Sequence, residues 1–278
     1  MLKLDVCLEL VFIDLPVEER IRRIAAAGYD CVEMWFHDCT FDGKACSAPA
    51  KDFRAIAGVM KETGVTVNSL VVNAPPGNLG GSLVKPEDRE IYFERLKTVI
   101  PIAKSIGCDK AVTCTGNEVS GLSRSQMRKS IIETLGPAAR IAEQNSITLL
   151  LEPLNTHLDH PGYFLNSAGE GAEIVREVNS PNLKLVYDIY HMQIMEGNLL
   201  AFIEKNLDVI GHFHAAGVPG RNELFKSEVD YRFILSRIEE MGYKGRVGLE
   251  YFPSMPDQGA SLAAIKDYLT GNVNYGRG

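Results

Sequence analysis

The chain lacks several features that would have narrowed its class at once. No CxxC pair occurs among its six cysteines, so neither a zinc ribbon nor a dithiol redox motif is written into it. No run of Lys and Arg stands out, and the formal net charge is −7. Nucleic acid and anionic membrane surfaces both reward clustered positive charge, so both are disfavoured as partners. No stretch of 18 consecutive apolar residues is present. The N-terminal run MLKLDVCLELVF carries Asp5 and Glu9 where a signal peptide would be uninterrupted and apolar. A cytoplasmic protein with reduced cysteines is the expectation. Neither GxGxxG nor GxxxxGK[ST] occurs, which argues against a doubly wound nucleotide-binding sheet.

What is present is a rhythm. The 278 residues, 45% of them hydrophobic, can bury a large core without disulfides. Short Val/Ile/Leu-rich runs alternate with segments of helical period from end to end. Strands are expected near 4–11, 30–36, 65–72, 109–115, 147–153, 183–189, 208–214 and 246–252. Helices are expected at 17–28, 52–64, 93–107, 123–145, 167–179, 196–206, 231–242 and 257–269, several ending in glycine as a C-terminal cap. Eight strand-then-helix units without a linker-like break predict a single α/β domain over 1–278, a (β/α)8 barrel of the TIM type.

In such barrels the active site gathers at the C-terminal ends of the strands. Strand five ends at Glu152, strand six at Asp188, strand seven at His214 and strand eight at Glu250. Any one of these could be a strand-end group satisfied by its neighbours. Four in succession point to a divalent cation site, with Mn²⁺ or Mg²⁺ expected from the oxygen-rich set and Co²⁺ or Zn²⁺ as alternatives. A cation also explains how three carboxylates share a low-dielectric mouth. His191, just past Asp188, is expected at the rim, touching substrate or orienting the site. His212 is expected deeper, in a structural role. His157 and His160 are placed in a loop, and His37 at the surface. Trp35, following Glu33, is expected to wall the pocket.

The stretches NAPPGN (73–78), EPLN with HPGYFL (152–155, 160–165), DIYHMQ (188–193), IGHFHAAGVPGRNE (210–223) and GLEYFP (248–253) resemble the xylose isomerase-like TIM barrels. Within that family the likeness is closest to the hydroxypyruvate isomerase group. The resemblance implies a metal held by Glu152, Asp188, His214 and Glu250, with Glu152 and Glu250 as the acid/base pair. It further implies substrate binding by His191 and Arg221, with Trp35 and Asn73 beside them, and a dimer or tetramer. One departure stands out: hydroxypyruvate isomerases commonly carry glutamine where this chain has His214, as ketose epimerases do not. The expected reaction is isomerisation of hydroxypyruvate or a related sugar acid through an enediolate. The alternatives are 3-epimerisation or aldose–ketose isomerisation of a short sugar and, further off, an apurinic endonuclease-like enzyme or a non-catalytic sugar-binding barrel.

Overall fold

The computed structural model describes residues 2–47, 50–73 and 82–271. Nine strand segments form one sheet in which every neighbouring pair is parallel. Their order is Thr66–Val67, Cys31–Glu33, Lys3–Cys7, Arg246–Leu249, Ile210–Ala215, Leu183–Asp188, Thr148–Leu151, Lys110–Thr113 and Leu70–Val71. The two outermost segments belong to one extended stretch. Asn68 N donates to Val32 O at 2.8 Å and Met34 N to Ser69 O at 3.1 Å, so the ladder crosses the gap between them. The sheet therefore closes, the third of eight barrel strands serving it in two pieces. The expected α/β barrel in a single domain is what the structure shows.

The strands form where the sequence offers apolar runs buried on both faces, as parallel sheets require. Leu183, Leu185, Val186 and Tyr187 on strand six and Leu149, Leu150 and Leu151 on strand five are all fully buried. The helices wrap these strands with one apolar stripe each. Helix Val17–Ala26 buries Val17, Ile21 and Ile24, and each such side chain contributes roughly 1.5–3 kcal/mol. Side-chain caps set the helix starts: Asp52, Ser123, Ser167, Asp230 and Asp257 each accept a backbone N–H from the first turn.

The structure corrects the sequence reading in four places. Strand one stops at Cys7, and residues 8–11 continue as a buried turn. Strand two is followed by a hairpin, Thr40–Phe41 against Cys46–Ser47, that the apolar pattern did not announce. Helix Arg89–Ser105 begins four residues early and runs through Pro101. Strand six leads into two helices, Ile189–Met195 and Leu199–Asn206, where one was expected. The first of these places His191 on a helix, fully buried. The cause is Asp188, whose Oδ1 accepts from Tyr190 N at 2.7 Å and His191 N at 3.1 Å. His37 is half-buried where surface exposure was expected. All six cysteines are free thiols. Residues 74–78 of the NAPPGN stretch lie outside the described residues. No helix among the described residues is long and apolar enough to cross a membrane.

Candidate active site and metal centre

Strand ends five to eight bring their four groups together. Glu152 and Glu250 each follow the last residue of a strand, Asp188 ends its strand, and His214 lies one residue from the end of its own. Register fixes their level, because His214 pairs with Asp188 on one side and with Gly248 on the other. One ligand atom from each of Glu152, Asp188, His214 and Glu250 lies within 4.8 Å of every other, and all four residues are buried. His214 Nδ1 is the centre of the group. It stands 2.9 Å from Glu152 Oε1, 3.7 Å from Glu250 Oε2 and 3.9 Å from Asp188 Oδ2. On its far side His214 Nε2 donates to Glu33 Oε2 at 3.2 Å.

Burial raises the Asp188 carboxyl to about 7, although His214 and Arg221 pull it down. Burial likewise raises Glu152, against the pull of His214. For His214 burial disfavours the charged ring, but Glu33, Glu152 and Glu250 outweigh it and hold the imidazole well above its ordinary value. Burial pushes Glu33 up, and His214 and His212 overcome this to hold it below the usual carboxylate range. Without a cation, Asp188, Glu152 and His214 thus all hold their protons more tightly than usual. A divalent ion would supply the same compensation, and three carboxylates with one imidazole are a donor set that fits one.

Arg221 sits over the Tyr190 ring, 5.1 Å from its centroid, and donates through Nη2 to Glu250 Oε2 and through Nε to Glu250 O. It does not pair with Glu223, whose carboxylate accepts from Ser254 N, Ser254 Oγ, Met255 N and Ser261 Oγ. Trp35 donates its indole N–H to Glu250 Oε1 at 2.8 Å, and its ring lies 5.3 Å from that of Phe41 in the hairpin. His191 Nδ1 accepts from Asn155 Nδ2 at 2.7 Å and Asn155 N at 3.2 Å, and its Nε2 lies 3.5 Å from Asp188 Oδ2. Burial and the charge of Arg221 drive the His191 ring well below its usual value, so it is neutral with its proton on Nε2. Asn73 ties strand three to strand four: its Oδ1 accepts from Cys114 N at 2.7 Å and its Nδ2 donates to Cys114 O at 3.1 Å. Glu33, Trp35, Ser69, Glu152, His214 and Glu250 enclose a cavity of about 20 Å³, room for roughly one water or one bare ion. The structure thus gathers Glu152, Asp188, His214, Glu250, Arg221, Trp35 and His191, and leaves Asn73 bonded to backbone at the edge.

Known proteins resemble the chain along most of its length. The family model described as "Xylose isomerase-like TIM barrel" matches residues 21–268. A putative hydroxypyruvate isomerase of Homo sapiens is 33% identical over 245 residues, covering 84% of this chain and 83% of that protein. A 2-oxo-tetronate isomerase of Cupriavidus necator is 32% identical over 253 residues, covering 86% of this chain and 96% of the relative. A crystal structure described as AP endonuclease, family 2, from Brucella melitensis superposes with a TM-score of 0.83 at 30% identity, covering 96% of this chain and 99% of that one.

The chain belongs to the xylose isomerase-like TIM barrel family. It stands with the isomerases of that family as an enzyme. Within this xylose isomerase-like barrel, some site-building residues escaped the sequence reading. Glu33 ends strand two and meets His214, so applying the strand-end rule to strand two would have found it. Asn155 orients His191, and an Asn three residues after Glu152 gives no signal of its own. Lys51 and Glu9 form a buried ion pair at 2.7 Å beneath Trp35, whose backbone N–H Glu9 also accepts. His212 lies beneath His214, as expected, and donates to Glu33. His157 is exposed, and His160 is half-buried against the His191 ring.

Proposed function

We propose that the protein isomerises a small 2-oxo acid bearing an adjacent hydroxyl group, of the hydroxypyruvate type, with a divalent cation held by Glu152, Asp188, His214 and Glu250. The observation that carries this reading is the pair of buried carboxylates, Glu152 and Glu250, whose oxygens lie 2.9 and 3.7 Å from the His214 Nδ1 nitrogen. Such a pair can take a proton from one carbon and return one to its neighbour. The sugar-acid preference is supported by Arg221, whose Nη1 faces no acceptor among the described residues and can meet a carboxylate. The names of the two relatives, both isomerases of 2-oxo acids, support it as well.

Bound there, Mn²⁺ or Mg²⁺ would polarise the carbonyl and its adjacent hydroxyl, making the neighbouring C–H more acidic. One of Glu152 and Glu250 removes the C3 proton of hydroxypyruvate, leaving an enediolate, and the other delivers a proton to C2 while the hydroxyl proton passes from O3 to O2, giving tartronate semialdehyde. Arg221, fixed by Glu250 and Tyr190, orients the carboxylate. His191 presents Nε2–H to a substrate oxygen, with Asn155 holding its ring. Trp35 closes the pocket and keeps Glu250 in place. The reading includes the homo-oligomer, a dimer or tetramer, and a cytoplasmic setting; light scattering on the purified protein checks the first.

A second reading rests on His214, since the imidazole ligand is the feature the sequence shares with ketose 3-epimerases. The same two glutamates would then return the proton to the opposite face of the same carbon. Incubation in D₂O with Mg²⁺, separately with hydroxypyruvate and with four- to six-carbon ketoses, separates these by proton NMR. Deuterium entering hydroxypyruvate with formation of tartronate semialdehyde is expected. Exchange confined to ketoses would replace the first reading with the second, and no exchange with any substrate would refute both.

A further inference from the structure

Beneath the four strand-end groups lies a polar layer that the proposed reaction does not use. Its hub is Glu33, 4% exposed, at the end of strand two. A single oxygen, Oε2, accepts from Ser69 Oγ at 3.1 Å, His212 Nε2 at 3.1 Å and His214 Nε2 at 3.2 Å. Three donors converging on one oxygen demand a carboxylate. His212 in turn is oriented by the Asn68 amide, whose Nδ2 lies 3.4 Å from the ring nitrogens. The backbone opposite is shaped to this carboxylate: a Cβ on Gly248 would come within 1.8 Å of Glu33 Oε1.

An imidazole binds a cation through an unprotonated nitrogen, so the tautomer of His214 decides whether Nδ1 can serve Glu152, Asp188 and Glu250. A neutral ring free to choose would divide itself between two tautomers. Glu152 Oε1 faces Nδ1 at 2.9 Å and Glu33 Oε2 faces Nε2 at 3.2 Å. With Glu152 committed to an ion, only the Glu33 carboxylate is left to take the ring's one proton, on Nε2. We propose that Glu33 is a positioning residue of the ion site: it accepts the Nε2–H of His214 and so fixes the Nδ1 lone pair toward the ion. His212 and Ser69 hold the Glu33 carboxylate in its place. The inference rests on the cation-binding reading of the four strand-end groups, and adds to it a fifth residue that touches neither ion nor substrate.

Glu33, His212 and His214 also place one ligand atom each within 4.8 Å of the others. A second ion there would need His214 Nε2 for itself, and the 3.1 and 3.2 Å separations are those of hydrogen bonds to a shared acceptor.

The test is calorimetric titration of chelator-stripped protein with Mn²⁺, without substrate. Glu33→Gln is expected to raise Kd by about 10- to 100-fold, and Ser69→Ala, which removes one of the groups holding the carboxylate but leaves both imidazole contacts, should raise it by less. Turnover of Glu33→Gln should recover toward wild type at saturating Mn²⁺, which a merely structural defect would not allow. Independently of any variant, long-range ¹H–¹⁵N spectra of Mg²⁺-loaded wild type should show the His214 proton on Nε2. A proton on Nδ1 overturns the inference, as does a folded Glu33→Gln protein that binds Mn²⁺ like wild type. If Glu33→Gln does not fold, the wild-type tautomer decides. Wild type that takes up no ion defeats the cation reading itself, and with it the role of Glu33; ion uptake with unchanged affinity in the variant defeats the role of Glu33 alone.

Discussion

Strands five to eight and strands one to four line one barrel, yet only the former place a titratable group at every C-terminal end. Strands six and seven each run for six residues and carry Asp188 and His214 in register. Strand two has three residues, and strand three is broken into two pairs. What the first half contributes reaches across the barrel to the second: Trp35 to Glu250 and Glu33 to His214. One half carries the chemistry and the other holds it still. Substitutions in the second half should therefore appear in turnover, and those in the first half in stability and ion affinity, except at Trp35, which reaches across to the Glu250 carboxylate itself.

The largest expected effect belongs to the second half. Glu152→Gln and Glu250→Gln should each lower turnover on the order of 10²- to 10⁴-fold, measured as deuterium exchange at saturating Mg²⁺, while circular dichroism and melting stay close to wild type. Loss of the fold in both variants would contradict the division. The counterpart in the first half is Lys51→Met. It leaves Glu9, buried and bonded to the Trp35 backbone, without its 2.7 Å partner. The expected loss is about 3–5 kcal/mol of stability by urea unfolding. A variant as stable as wild type would show that Glu9 is protonated or rehydrated at little cost.

The same division explains what was legible in the sequence. The barrel was readable because eight buried strands are each a compact apolar run, and the four ion-binding candidates because each interrupts such a run at its end. Helix Ile189–Met195 was not, because seven residues are too few for a helical period to show, and because Asp188 serves at once as strand end and helix cap. Glu33 was hidden for a different reason. The apolar run of strand two carries on to residue 36, so Glu33 reads as an interior strand residue before Trp35 until His212 and His214 are seen to meet it at the strand's end. Asp5 is harder still. It is wholly buried in strand one with neither carboxyl oxygen bonded among the described residues, and burial with the nearby charge of Glu33 pushes it well above the usual range. Alternation along the strand puts it inside the barrel, but nothing in the sequence says that its carboxyl is raised there.

Two smaller perturbations sharpen the comparison at the seam between the halves. Gly248→Ala places a methyl group against Glu33 Oε1 and 2.9 Å from His214 Cδ2. About 1–3 kcal/mol of destabilisation is expected, with weaker Mn²⁺ binding in the same sample; a normal Kd would mean that the carboxylate can move without disturbing His214. Trp35→Phe keeps an aromatic wall and removes the donor to Glu250 Oε1. Turnover should fall by roughly tenfold, the worth of one hydrogen bond to a charged group, with ion affinity changed less.

The smallest effect is a dependence of melting on pH, and its sign follows from the shifts in the ion-free site. Asp188, raised to about 7, stabilises the fold fully below its unfolded value near 4, and that contribution is lost as pH rises through about 7. Glu152 is raised and acts in the same sense. His214, also raised, adds a loss that begins near the ordinary imidazole value of about 6.5 and continues above it. Glu33 has the opposite sign, but its window lies below the usual carboxylate range and does not enter. His191 and His212, whose rings burial lowers, act in the opposite sense below about pH 6.5. In chelator, the melting temperature should therefore fall by a few degrees between about pH 6.5 and pH 8. With saturating Mn²⁺ the ion takes the place of those protons and binds better as they leave, so the loaded and stripped curves should separate as pH rises. Asp188→Asn, which cannot titrate, should flatten the stripped curve. A stripped wild-type protein whose melting temperature rises over the same range would mean that the second half of the barrel holds its charges by some means other than shared protons.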